Sequence, residues 1–88
     1  MNTLAFVLLK FKDKQNMLSI NDYNYVKEKL ESIEGVKSVN LIEKGDLPYE
    51  AIIRVSTDTI ESLYHIVMRG IAKSSPVLET TTLIVLDQ

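Results

Sequence analysis

The chain has 88 residues, a formal charge of −2 and no cysteine, which leaves room for one domain, residues 1–88, and excludes a disulfide framework or a thiolate metal site. Its 10 Lys and Arg are spread among 12 Asp and Glu, so no basic patch releases counterions from nucleic acid and direct DNA binding is not expected. The longest apolar run, residues 4–9, is far short of a membrane span, and Met1-Asn2-Thr3 has no basic start of a secretory signal, so a soluble cytoplasmic protein is expected.

Residues 4–11 read Leu, Ala, Phe, Val, Leu, Leu, Lys, Phe. The odd set (Ala5, Val7, Leu9, Phe11) and most of the even set (Leu4, Phe6, Leu8) are both apolar, the pattern of a strand buried on two sides. A domain of this size, burying roughly 60 to 65% of its unfolded surface, has no second layer for the second side. An obligate oligomer follows.

After a polar loop, Ile20, Tyr23, Val26, Leu30 and Ile33 recur at helical spacing. Ser19 or Asn21 is the expected N-cap, Asp22 suits the positive end of the dipole, and Gly35 stops the helix. Val36, Val39, Leu41 and Ile42 form a second strand. Turn chemistry at Lys44-Gly45-Asp46-Leu47-Pro48 leads to a third, Ala51-Ile52-Ile53-Arg54-Val55, and the pair makes an antiparallel hairpin. A second helix opens at Asp58-Thr59-Ile60-Glu61, which has capping-box spacing, and carries Ile60, Leu63, Tyr64, Val67, Met68 and Ile71 on one face, with Gly70 costing some stability. Lys73-Ser74-Ser75-Pro76 breaks it, and the β-branched stretch 77–86 is a fourth strand.

The order βαββαβ predicts an α+β, ferredoxin-like fold: a four-stranded antiparallel sheet with two helices on one face and strands one and three in the middle. Ala5, Val7, Leu9 and Phe11 then lie under the helices beside Ala51, Ile53 and Val55, while Phe6, Leu8, Ile52 and Arg54 form a bare face that dimerises through the sheet.

Candidates for chemistry are few. His65 is the single histidine, flanked by Glu61 and Arg69, and has neither a metal partner nor a nucleophile to activate. Glu28, Glu31, Glu34 and Asp87 mark no acid and base pair, and Gly35, Gly45 and Gly70 stand apart from any phosphate loop. No catalytic residue, metal or cofactor is expected. Two segments stand open to either of two readings. Thr80, Thr81 and Thr82 are strand formers or a row of hydroxyls on one face, and residues 45–50, with Gly45, two acids and Tyr49, are an ordinary turn or a receiver for a ligand amine.

The tail Val77-x-x-Thr80-x-Thr82-x-Ile84-Val85-Leu86 resembles the last strand of the regulatory (RAM) domain of the Lrp/AsnC family. Ala5-Phe6-Val7-Leu8-Leu9 is similar to its first strand and Gly35-Val36 to its step into the second. The resemblance implies a ferredoxin-like unit that dimerises face to face, as a dimeric α+β barrel, assembles further into rings, and binds a small effector, commonly an amino acid, between dimers. Where that family's hairpin commonly reads Thr-Gly-x-Tyr-Asp, this chain has Lys44-Gly45-Asp46-Leu47-Pro48-Tyr49-Glu50. Gly45, Tyr49 and Glu50 are the implied counterparts, and with Thr80 and Thr82 they make the implied effector site. The loop 12–19 is longer than usual and holds Met17 and Leu18. Family members usually carry a helix-turn-helix first, whereas Leu4 already begins a strand, so a stand-alone regulatory module is expected. Its implied partners are a second copy or a higher homo-oligomer, an amino-acid effector, and full-length Lrp/AsnC regulators. The alternatives are a structural adaptor for such a regulator and a small enzyme of the dimeric α+β barrel type.

Overall fold

β1 (Thr3–Phe11) and β3 (Ala51–Thr57) form the middle of a four-stranded antiparallel sheet of order β2-β3-β1-β4, flanked by β2 (Val36–Leu41) and β4 (Val77–Ile84). α1 (Ile20–Glu31) links β1 to β2, and α2 (Ile60–His65), which continues as a π-helical segment Ile66–Ile71, links β3 to β4. This is the ferredoxin-like βαββαβ plan. The structure is a computed structural model that describes residues 2–12, 20–42, 45–46, 48–74 and 77–85. The Ser19 cap, Met17 and Leu18, turn residues Lys44 and Leu47, the break at Ser75-Pro76, Leu86 and Asp87 lie outside the described residues, as do the side chains of Ile20, Asn21 and Asp22.

The core lies where the odd residues of β1 meet both helices. Ala5, Val7, Leu9 and Phe11 are buried with Ala51, Ile53 and Val55 of β3, Val26 and Leu30 of α1, Leu63 of α2, and Val67 and Ile71 of the π segment. Tyr23 and Ile33 pack against this cluster from the α1 side. Strict alternation would put Val36 and Val39 on opposite faces. Both pack inward because the β2–β3 register shifts between Val36 and Ser38, leaving Lys37 as the extra residue of a bulge. A second shift falls between Lys10 and Phe11: Lys10 pairs with Glu79 and Phe11 with Val77, so Leu78 is extra and exposed.

The second helix departs from its sequence pattern in three respects. Its cap is Thr59, whose Oγ1 accepts from the Ser62 N–H (3.1 Å) and lies 3.0 Å from the Ser62 hydroxyl. The capping box therefore starts one residue later than Asp58 and closes on Ser62, while Glu61 sits in the first turn, where its charge suits the dipole. Thr59→Ala is accordingly expected to lower stability by about 1 kcal/mol and Asp58→Ala by less, read from urea unfolding.

The buried stripe is also narrower than predicted. Leu63, Val67 and Ile71 are buried and Ile66 joins them in part, but Ile60, Tyr64 and Met68, each one residue further round the helix, stay exposed. The third departure is the π turn, in which the Ala72 N–H reaches back five residues to the Val67 carbonyl (2.7 Å). Gly70 lies in it. A Cβ there would stand 3.2 Å from Ile33 Cγ2, so this glycine admits close approach of the helix to the end of α1 and is not merely a weak helix former. No described helix is long and apolar enough to cross a membrane.

Candidate functional site

Both helices pack on one side of the sheet, and the side chains that alternate with the core project from the other. Phe6 faces Arg54 of β3 and Leu83 of β4, Leu8 faces Ile52 and Thr81, and Leu4 faces Ser56. Leu4, Phe6, Leu8 and Ile52 are half-buried within one chain, Arg54 is exposed, and Leu83 is 53% exposed. The four residues expected on the bare face, Phe6, Leu8, Ile52 and Arg54, thus stand together. Leu4 and Leu83 enlarge their apolar patch.

One end of this face is closed by a polar string. The Tyr49 hydroxyl lies 3.0 Å from Thr81 Oγ1, Lys10 Nζ stands 5.8 Å from the centre of the Tyr49 ring, and Lys10 pairs with Glu79 at 3.5 Å. Beside it, Leu8, Ile42, Gly45, Asp46 and Tyr49 line a depression of about 350 Å³. That volume is within the range of small-molecule sites, and among the described residues its lining is mainly apolar, with Asp46 as a carboxylate.

Of the five residues implied for an effector site, Gly45 and Tyr49 line this depression. Glu50 acts beside it as a strand clamp. Its N–H donates to the Leu9 carbonyl (2.8 Å), its carbonyl accepts from Ile42 (2.9 Å), and its Oε1 accepts from the Phe11 N–H (3.2 Å) where the β1–β4 register shifts. Thr80 and Thr82 are not brought to Tyr49. They pair with Leu9 and Val7, whose side chains point under the helices, so they share the covered face. The cause is the extra residue Leu78, which reverses the parity of β4 and turns Thr81 outward instead.

A second, larger depression of about 580 Å³ lies where the α1–β2 turn meets the start of α2, lined by Glu34, Lys37, Asp58, Glu61 and His65 among others. His65 is exposed there. Among the described residues no three His, Asp or Glu side chains are grouped to hold a metal ion.

The sequence matches no protein-family model and no curated protein. Solved structures share the architecture. AsnC of E. coli is similar to 98% of the chain at 27% identity and a TM-score of 0.76, and the chain spans 52% of it. FFRP-DM1 is similar to 96% of the chain at 26% identity and a TM-score of 0.74, with 99% of its own length covered. The transcriptional regulator NMB0573 of Neisseria meningitidis, solved as a complex with L-Met, shares the fold at a TM-score of 0.75 over 98% of the chain and 51% of its own, with 10% identity. In strand order, helix placement and similarity to AsnC, the chain folds as a RAM-like domain of the Lrp/AsnC type.

Proposed function

We propose that this chain is a non-enzymatic, oligomerising module of the Lrp/AsnC regulator type, in which a second copy covers the open sheet face and a small effector, an amino acid, binds where subunits meet. The apolar patch formed by Leu4, Phe6, Leu8, Ile52 and Leu83 carries the reading. Burying such side chains contributes on the order of 1.5 to 3 kcal/mol each before association costs. A face of that kind is stable in water only when covered.

The effector position rests on the depression beside Tyr49, which opens at the same face and offers Leu8 and Ile42 to an apolar side chain and Asp46 to an amine. The amino-acid class is supported by the regulator solved with L-Met. Binding would shift assembly only through different affinities for the two assembly states. Titration calorimetry against the amino acids, with light scattering on the same samples, tests both parts. The expected result is saturable heat from at least one apolar amino acid together with a change in mass, and silence in both measurements removes the effector.

A full-length regulator could present the same face as a second copy, since AsnC superposes on 98% of this chain. Recovery of a helix-turn-helix protein from native lysate without added ligand would favour that adaptor reading.

A further inference from the structure

Arg54 is a charge on the open face, with Phe6 of β1 on one side of it and Ser38 of β2 on the other. It is exposed and makes no hydrogen bond or ion pair among the described residues. Covering this face with a second copy, as proposed above, buries the guanidinium, and a buried arginine without a carboxylate is costly. Whatever lies over the sheet must present an acid at that point.

The chain has such an acid on the same face. Glu79 of β4 stands opposite Lys10, just as Arg54 of β3 stands opposite Phe6, so Leu8 lies midway between them on β1. From Leu8 each is two residues along and one strand across, in opposite directions, or about 8 Å away by standard strand spacings. We infer that Arg54 of each copy pairs with Glu79 of the other across a two-fold axis that passes over Leu8.

A two-fold contact is self-complementary, so one axis makes both pairs at once. Stacked sheets lie about 10 Å apart, a gap that an arginine reaching from one side and a glutamate from the other span together. Glu79 already holds Lys10 at 3.5 Å, and the guanidinium adds a second cation with bidentate geometry. The same axis makes the strands of the two sheets cross at roughly 70°, nearer the orthogonal than the aligned class of packing.

Dimer dissociation constants from sedimentation equilibrium at low ionic strength test the pairing in the wild type, Arg54→Met, Glu79→Gln, the double variant and Glu28→Gln, an exposed acid of α1 on the helical side, with circular dichroism confirming the fold of each. Each single variant at positions 54 and 79 is expected to weaken association roughly ten-fold or more, the double no further than the worse single, and Glu28→Gln to leave it unchanged. Additive losses, or unchanged single variants in a dimerising wild type, would overturn the pairing alone. A wild type that stays monomeric throughout would overturn the sheet-face dimer on which it rests.

Discussion

Leu8→Asp is expected to convert the assembly into monomers while the helices keep their circular dichroism. The side chain sits on β1 between Ile52 and Thr81 on the open face, away from the core that holds the helices. An aspartate there faces the second sheet with no cation directly opposite. Leaving a charge unpaired in a covered interface costs about 3 to 5 kcal/mol, which corresponds to a loss of affinity of at least about a hundred-fold. Phe6→Asp should act in the same direction but less strongly, because Arg54 lies directly across the strand pair and would neutralise the new carboxylate. Mass by light scattering or sedimentation separates the outcomes. If both variants keep the native mass and the native spectrum, the open face is not where the copies meet.

Gly35→Ala is expected to be the most damaging single-methyl change in the chain. Gly35 has φ +94°, and a Cβ placed on it would stand 2.5 Å from Ile66 Cδ1. The larger cost is about 1 to 3 kcal/mol for a side chain in a left-handed conformation; the clash adds less, because Ile66 Cδ1 is the free end of a half-buried side chain that can turn aside. The residue cannot easily shift, since its carbonyl accepts the Ser56 N–H at 3.0 Å. Against a typical stability of about 5 to 15 kcal/mol, a loss of about 2 to 3 kcal/mol lowers the melting temperature by on the order of 15 °C. Shortening the neighbour in the double variant Gly35→Ala, Ile66→Val should recover the packing cost and leave the backbone cost. A melting temperature for Gly35→Ala within about 3 °C of wild type would show that the turn is more adaptable than its geometry states.

These two substitutions probe opposite sides of one strand plan that was legible early. Alternation along residues 4–11 identified Ala5, Val7, Leu9 and Phe11 as core, because a pleated strand sends successive side chains to opposite faces. Helical spacing in the first helix was equally informative, since Val26 and Leu30 are buried and Tyr23 and Ile33 pack against the same core. In the second helix the same rule overreached. Ile60, Leu63, Tyr64, Val67, Met68 and Ile71 make a broad apolar arc, yet a helix lying on a flat sheet buries only the part that touches it, so Leu63, Val67 and Ile71 went in and Met68 remained 65% exposed. The π turn and the approach of Gly70 to Ile33 had no local signature. They arise from how closely α1 and the second helix pack.

The sequence by itself determined the order of elements, the two-sided apolarity of β1 and the scarcity of catalytic groups, because each follows from residue type and spacing along one segment. Only the tertiary structure decided which hydroxyls and charges meet. An extra residue in an edge strand reverses every side chain beyond it, and Leu78 does this to β4, sending Thr81 to Tyr49 and Glu79 to the face that carries Arg54, while Thr80 and Thr82 turn toward the helices. A bulge of that kind is settled by pairing with β1 some seventy residues earlier in the chain, a relation between strands that no single stretch of sequence contains.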